Sequence, residues 1–194
     1  MTETIETQEK SIYYPPGGLL IWIIVFLELV TFGAFLLVFL SYRKADLETF
    51  TSAQQMLNST LGMVNTIVLL TSGLFMAAGL VELKKGGRKT QMYLGITIAL
   101  GILFIALKGY EYYEKIELGI GFNTNQFFVF YWLLTGFHLI HVFVAIVLVS
   151  YMLYNIKSGS YSSTNFEDVE TTGVFWHMCD LIWIFLFPII YLLH

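Results

Sequence analysis

Charged residues are scarce in this sequence of 194 residues, at 12% of the total, and there are three prolines and one cysteine. Soluble domains average about 25% charged residues. The net charge of −4 leaves no basic face for nucleic acid, and a single cysteine, Cys179, excludes an internal disulfide or a cysteine-built metal cluster. With 57% hydrophobic residues, the composition excludes an ordinary soluble enzyme and a disordered regulator, and it predicts an integral membrane protein.

Five apolar stretches are long enough to cross a bilayer as helices, which takes about 20 residues. They cover residues 19–40, 61–83, 92–110, 127–154 and 173–193. The loops between them, of which 41–60 and 155–172 are the longest, are too short for a separate domain. The sequence therefore predicts an all-α bundle of five transmembrane helices, which forms one membrane domain over 19–194 after an N-terminal segment over 1–18.

The N-terminal segment and the distribution of basic residues predict the orientation. Residues 1–18 contain three glutamates and one lysine, so the positively charged start of a cleaved signal peptide is missing. With five crossings, one side of the membrane has Lys10, Lys84, Lys85, Arg88, Lys89 and Lys157, and the other side has Arg43, Lys44, Lys108 and Lys115. Because basic loops stay in the cytoplasm, we expect the N-terminal segment inside and His194 outside.

Five ionisable side chains fall inside the predicted spans, where each one is costly unless it has a partner. By the helical rise of about 1.5 Å per residue, Glu28, His138 and His141 lie near mid-membrane, while Asp180 and His177 lie further inward. We predict a hydrogen bond from Glu28 to His141 or His138 that joins the first and fourth helices. Two interpretations stay open: these residues hold helices together, or the Glu28 carboxyl exchanges protons with water.

The placement of the histidines bears on cofactors. Haem ligation takes two histidines at equal depth on facing helices, but His138 and His141 share a helix and His177 is about 7–12 Å away in depth. A metal site made by Glu28, His138 and His141 is conceivable by ligand type, without a signature motif to support it. We therefore expect no catalytic residue, no metal and no redox cofactor in this chain.

Two further groups of residues are predicted to face outward. Lys108 and Glu111 lie at an end of the third predicted span, where long side chains reach the interface at little cost. The aromatic clusters over 110–113 and 127–132 are predicted to form an interfacial belt.

A series of motifs follows Glu28 along the chain. These are NTIVLLTSG over 65–73, GGRK over 86–89, YEYYE over 110–114, TGFHLIHV over 135–142 and WHMCDLIWIFLFP over 176–188. In this order and spacing, from residue 19 to residue 193, the chain resembles subunit III of the haem–copper oxidases.

The resemblance implies the last five of the family's seven helices, in a bacterial cytoplasmic membrane with the N-terminus inside. It implies a non-catalytic subunit that packs against oxidase subunits I and II, with haem and copper held by subunit I. The complex would reduce oxygen to water with cytochrome c as the electron donor, coupled to proton translocation. Subunit III would sustain proton uptake and protect the active site from inactivation during turnover.

The resemblance also implies roles for particular residues. Glu28 matches the carbodiimide-reactive buried glutamate of the family, although Leu27 stands before it where the oxidase members usually have serine. The family binds phospholipid, so we expect bound lipid with headgroups near Arg88 and Lys89, whose charge suits anionic lipid.

Two other assignments stay open. The TGFHLIH and WHMCDLIW segments are also similar to the subunit III-like protein that accompanies nitric oxide reductases. A stand-alone proton channel or transporter could use Glu28 and the histidines, but five helices without a repeat differ from the usual design of secondary transporters.

Overall fold

The structure, a computed structural model, describes residues 15–193 and forms no strand over that range. Its elements are α1 (Leu19–Ala45), α2 (Leu47–Gln55), α3 (Ser59–Lys84), α4 (Thr90–Glu117), α5 (Gln126–Lys157), α6 (Glu167–Phe187) and a C-terminal π-helical turn (Pro188–Leu192). The predictions made for the leading segment over 1–14 and for His194 lie outside the described residues.

Five of these helices are long and apolar enough to cross a membrane: α1, α3, α4, α5, and α6 together with the π-helical turn. The predicted all-α bundle with five membrane helices is therefore confirmed. The helices run beyond the predicted spans, however, since α4 continues from Tyr110 to Glu117 and α6 begins at Glu167 rather than at Gly173. A helix satisfies its own backbone hydrogen bonds and so does not have to end where the hydrocarbon ends.

The segment predicted as a loop over 41–60 contains a helix, α2. The Asp46 side chain accepts a hydrogen bond from the Thr49 backbone N–H at 3.2 Å, which stabilises the first turn of α2. Phe50 of α2 is buried and packs edge-on against Phe39 of α1 and Phe127 of α5. This short helix therefore closes one end of the bundle between α1 and α5.

The C-terminal π-helical turn is held by side chains from other elements. The Gln54 amide of α2 donates to the carbonyl oxygens of Ile189 and Ile190, at 3.1 and 3.0 Å. The Ser59 hydroxyl of α3 donates to the Tyr191 carbonyl oxygen at 3.2 Å. Because carbonyls near a helix end lack intrahelical donors, these bonds fix the turn to α2 and α3.

α6 is the most buried of the five membrane helices, with half of its most apolar segment inside the bundle, against 22% for α1. It packs on α1, α3 and α5, and two indole N–H groups tie it to α3. Trp176 donates to Ser72 Oγ at 3.2 Å, and Trp183 donates to Thr66 Oγ1 at 2.9 Å. α6 is therefore the central helix, whereas α1 leaves most of its apolar surface uncovered.

The predicted interfacial belt is wrong for the cluster that opens α5. Phe127, Phe128 and Tyr131 are fully buried, because the first turns of α5 pack against aromatic rings of α1, α2 and α4. In the other cluster, Tyr110 and Tyr113 are exposed, as an interfacial position requires. Aromatic composition alone does not separate these two environments.

Gly101 of α4 is expected to be required for the packing of α6. A Cβ at this position would lie 2.8 Å from Trp176 Cη2 and 3.0 Å from Ile146 Cγ1. We expect Gly101→Ala to lower the free energy of unfolding by about 1–3 kcal/mol through overpacking, as measured by thermal unfolding in detergent. Gly109→Ala is the control, because nothing lies within 4 Å of a Cβ there. Equal melting temperatures for the two variants would contradict this packing.

Candidate functional site

Glu28 and His141 meet where α1 packs on α5. The distance from His141 Nε2 to Glu28 Oε2 is 3.4 Å, and the two side chains are 12% (His141) and 25% (Glu28) exposed. The other ring nitrogen, Nδ1, donates to the Phe137 carbonyl oxygen at 2.8 Å, since a carbonyl can only accept. This bond fixes the tautomer and directs Nε2 toward the Glu28 carboxyl.

The surroundings of this pair are apolar. The rings of Phe32, Phe137 and Phe175 lie 4.6 to 6.3 Å from the His141 ring, centroid to centroid. An isolated charge is costly there, whereas an acid and a base that share one proton are neutral together. The proton lies either on the Glu28 carboxyl, facing a bare Nε2, or on Nε2, facing a carboxylate. Chemically, the pair can hold one proton in either of two positions.

The structure thus places Glu28 beside one of its two predicted partners, His141. Their separation is longer than the hydrogen-bond range of about 2.7–3.2 Å, and within residues 15–193 Glu28 Oε2 has no hydrogen-bond partner. The contact joins α1 to α5, the helices that the sequence predicts it to join. It is a close approach of an acid and a base rather than a closed hydrogen bond.

His138 lies on the same helix but on another face. Its ring is fully buried between two aromatic side chains, and Nε2 donates to the Cys179 carbonyl oxygen of α6 at 3.1 Å. Three helical positions place His138 about 60° around α5 from His141, so it joins α5 to α6 and does not contact Glu28 through a hydrogen bond. Within the described part of the chain, no group of three His, Cys, Asp or Glu side chains could hold a metal ion.

His177 and Asp180 form a second acid–base pair, on α6. His177 Nδ1 and Asp180 Oδ2 are 3.1 Å apart, with side chains 47% and 9% exposed. The Asp180 carboxyl packs directly on Gly73 of α3, where an added Cβ would collide with it. Gly73 therefore provides the space that lets a carboxyl lie between α3 and α6.

A third pair, Lys108 and Glu111, contradicts the prediction that these side chains reach the interface. Both are 1% exposed, and Lys108 Nζ lies 3.0 Å from Glu111 Oε2. The Tyr131 hydroxyl donates to Glu111 Oε1 at 2.9 Å, and the Tyr191 hydroxyl lies 2.8 and 2.9 Å from the two carboxyl oxygens and also contacts Lys108. The result is a fully hydrogen-bonded ion pair inside the bundle, joining α4, α5 and the π-helical turn.

The physical reason for this error is the length of α4. The predicted span ends at Tyr110, which places Lys108 at its edge, but α4 continues for two further turns and α2 and the π-helical turn cover that end of the bundle. The spacing of these residues could have predicted the burial, because residues three apart share a face of a helix. Tyr110 and Tyr113 share the exposed face of α4, and Lys108 and Glu111 share the opposite face.

Arg88 and Lys89, the predicted headgroup contacts, lie in the loop between α3 and α4 and are exposed. Arg88 lines a cavity of about 250 Å³ with Tyr161, Ser162 and Ser163 of the α5–α6 loop. A guanidinium is a donor that suits a phosphate. Arg88 therefore borders a cavity at the end of the bundle predicted to face the cytoplasm, and Lys89 follows it in the loop.

The model of one protein family, cytochrome c oxidase subunit III, matches residues 16–194. The match includes all five membrane helices and the three acid–base pairs. The chain belongs to this family. Membership in this family agrees with the five membrane-spanning helices of the structure.

Three relatives of this chain differ in how much of each protein is matched. A cytochrome c oxidase subunit 3 from Synechocystis sp. is 37% identical over 132 residues, which are 67% of this chain and 55% of that protein. A cytochrome bo(3) ubiquinol oxidase subunit 3 from Buchnera aphidicola is 31% identical over 133 residues, 67% of this chain and 64% of that protein. A heme-copper oxidase subunit I+III from Aeropyrum pernix is 24% identical over 179 residues, 88% of this chain and 22% of that protein. The chain thus spans little more than half the length of the first of these relatives.

The buried Lys108–Glu111 pair is expected to dominate the stability of its end of the bundle. Lys108→Met leaves the Glu111 carboxylate buried without a cation, which should cost about 3–5 kcal/mol. In Lys108→Met/Glu111→Gln, the uncharged amide still accepts from the tyrosine hydroxyls, so most of the loss should be recovered. Thermal unfolding of both variants in detergent measures this. A double variant no more stable than the single variant would contradict a net-neutral network.

Proposed function

We propose that this chain is the non-catalytic subunit III of a haem–copper terminal oxidase in a bacterial cytoplasmic membrane. It binds the haem- and copper-bearing subunit I, together with subunit II, and stabilises the complex that reduces oxygen to water. The chain itself transfers no electrons. Its N-terminal end faces the cytoplasm, in agreement with the excess of lysine and arginine on that side.

The observation that carries this proposal is the family match, which spans residues 16–194 without leaving out a membrane helix. The Aeropyrum relative supports the partnership, because its name joins subunits I and III in one protein.

The proton-linked part of the proposal rests on Glu28 and His141. Their 3.4 Å separation and the hydrogen bond that fixes the His141 ring give a site that holds one shared proton as a neutral pair and can exchange that proton at the Glu28 carboxyl. The Glu28 side chain is 25% exposed, so this chain leaves one side of the carboxyl uncovered. We propose that this pair supports proton uptake by the oxidase during turnover.

Affinity purification of the tagged chain in mild detergent tests the assignment. We expect a haem-bearing partner to co-purify, with the absorption spectrum of a haem–copper oxidase and with oxygen consumption, and we expect the chain expressed alone to be colourless. A haem spectrum from the isolated chain would overturn the proposal. Nitric oxide reduction without oxygen consumption by the purified complex would instead assign the chain to a nitric oxide reductase, and a partnerless chain that conducts protons in vesicles would make it a channel.

Glu28→Gln is expected to keep the complex assembled but to change its turnover. Glutamine preserves the shape and can still hydrogen-bond, whereas it cannot take up a proton. We expect the purified variant complex to inactivate several-fold faster during sustained oxygen reduction, with slower turnover at high pH. Glu48→Gln, on the exposed face of α2, is the matched control and should behave as the wild type. Wild-type decay in the Glu28 variant would assign the pair a purely structural role.

We also propose that the cavity beside Arg88 receives the headgroup of a bound anionic phospholipid. Arg88 lines it together with Tyr161, Ser162 and Ser163, and Lys89 follows Arg88 in the same loop as a second cation. Basic residues at the cytoplasmic surface attract anionic headgroups.

Native mass spectrometry of the complex checks this lipid site. Arg88→Gln/Lys89→Gln should reduce the number of retained anionic lipids, because the phosphate loses both cations. Lys157→Gln, an exposed basic residue at the end of α5, is the control and should retain them. Equal lipid retention in both variants would contradict a headgroup site at Arg88.

A further inference from the structure

One stripe of α6 remains uncovered between α1 and α3. The exposed residues on this stripe are His177, Leu181, Ile184 and Phe185. On one side, Leu29, Gly33 and Leu36 of α1 line a cavity of about 450 Å³ together with Leu181 and Phe185. On the other side, α3 packs on α6 at Gly73. The stripe is therefore the floor of a groove, which we name the α6 groove, with α1 and α3 as its walls.

A polar group lies in this otherwise apolar groove. The His177 side chain is 47% exposed, and its Nδ1 is held 3.1 Å from Asp180 Oδ2. The net-neutral states of such a pair are a carboxylic acid facing a neutral imidazole and a carboxylate facing an imidazolium. In the first state the acid hydrogen lies on Oδ2 and Nδ1 accepts it, because Asp180 Oδ1 has no hydrogen-bond partner among the described residues, so the ring hydrogen is on Nε2. In the second state both ring nitrogens carry hydrogen. In both states Nε2–H is a donor that points away from Asp180.

This donor lies at hydrocarbon depth. By helical rise, His177 is roughly 9 Å from the middle of the 173–193 stretch, inside the hydrocarbon half-thickness of about 15 Å. Within residues 15–193, the hydrogen bond to Asp180 is the only one that His177 makes through its side chain. A donor left facing acyl chains is costly, so the groove requires an acceptor from outside this chain.

Gly33 indicates how closely the molecule that supplies this acceptor can approach α1. Nothing lies within 4 Å of a Cβ placed at Gly33, although the residue is in the middle of α1, where glycine weakens a helix relative to alanine. A small residue on a membrane-facing surface is typical of close packing between helices. The cavity beside Gly33 is lined almost entirely by apolar side chains. We therefore expect the surface that packs against it to be apolar except for the hydrogen-bond acceptor.

We propose that the α6 groove is the docking surface for a transmembrane helix of the haem-bearing subunit, and that this helix presents an uncharged hydrogen-bond acceptor to His177 Nε2. A serine or threonine hydroxyl, a carboxamide or a freed backbone carbonyl has this chemistry. An acyl chain lacks an acceptor at this depth, because lipid ester groups lie at the interface. The inference rests on the proposed function, since it names the surface by which this subunit III binds its partner.

Photo-cross-linking in the assembled complex tests where the partner lies. A benzophenone amino acid replaces Leu181 in the groove, and the same probe replaces Leu103 on the exposed face of α4 as the control. Mass spectrometry of the Leu181 adduct is expected to identify a membrane helix of the haem-bearing subunit. Adducts with lipid only, or with a second copy of this chain, would overturn the groove assignment while the co-purified haem keeps the proposed function. A wild-type chain that retains no haem-bearing subunit would contradict both the groove assignment and the proposed function.

Two pairs of variants test the chemistry of the groove. His177→Leu removes the donor, and we expect about tenfold less haem-bearing subunit to co-purify, the loss that one hydrogen bond represents, whereas His177→Gln keeps a donor and should retain most of it. Gly33→Leu fills the groove and should have a similar effect to His177→Leu. Gly95→Leu is the control for Gly33→Leu, because a Cβ at Gly95 is equally free of neighbours but lies on α4.

Equal retention of the haem-bearing subunit by His177→Leu and the wild type would overturn the proposal. Equal losses of that subunit in the two glycine variants would also overturn it.

Discussion

Pairing of acids with bases is the constraint on which this bundle depends. In the interior of the membrane helices, over residues 15–193, each carboxyl faces a basic side chain: Glu28 faces His141, Glu111 faces Lys108 and Asp180 faces His177. A chain with so few charges does not place them in hydrocarbon at random, since each would otherwise have to be neutralised or expelled. The Glu28–His141 pair joins α1 directly to α5, whereas the other two pairs lie within α4 and within α6. Those two pairs reach neighbouring elements through the hydroxyls of Tyr131 and Tyr191 and through the packing of Asp180 on Gly73 of α3.

The three pairs differ in how completely their polar atoms are hydrogen-bonded. Around Lys108 and Glu111, two tyrosine hydroxyls fill the remaining hydrogen-bonding positions, and no side of the pair is open to solvent. Glu28 has one carboxyl oxygen without a hydrogen-bond partner among the described residues. A closed network holds its protons in place, whereas an incomplete one can gain or lose a proton at small structural cost.

Sequence reasoning succeeded where a long periodic signal was available and failed where tertiary packing decided. The five apolar stretches are long enough to define membrane helices, and Glu28 and His141 could be matched by depth because both lie near the middle of their spans. The environment of Lys108 could not be read in the same way, since its burial depends on Tyr131 and Tyr191, which reach it from distant parts of the chain. The separation of His138 from His141 shows the same limit: a spacing of three residues permits a shared face, and only the position of α6 decides that His138 turns toward Cys179.

The hydrogen bond from His141 to the carbonyl oxygen of Phe137 has a consequence for proton traffic. Conduction through an imidazole requires that a proton arrive at one ring nitrogen while another leaves from the opposite nitrogen. At His141 the opposite nitrogen already carries a hydrogen, and that hydrogen is engaged by a backbone oxygen of the same helix, which cannot pass it onward. In the proton-exchanging role proposed for this pair, any proton that enters through Glu28 therefore leaves through Glu28. In that role the pair is a reservoir with a single entrance and a capacity of one, and it is not a segment of a proton wire across the membrane.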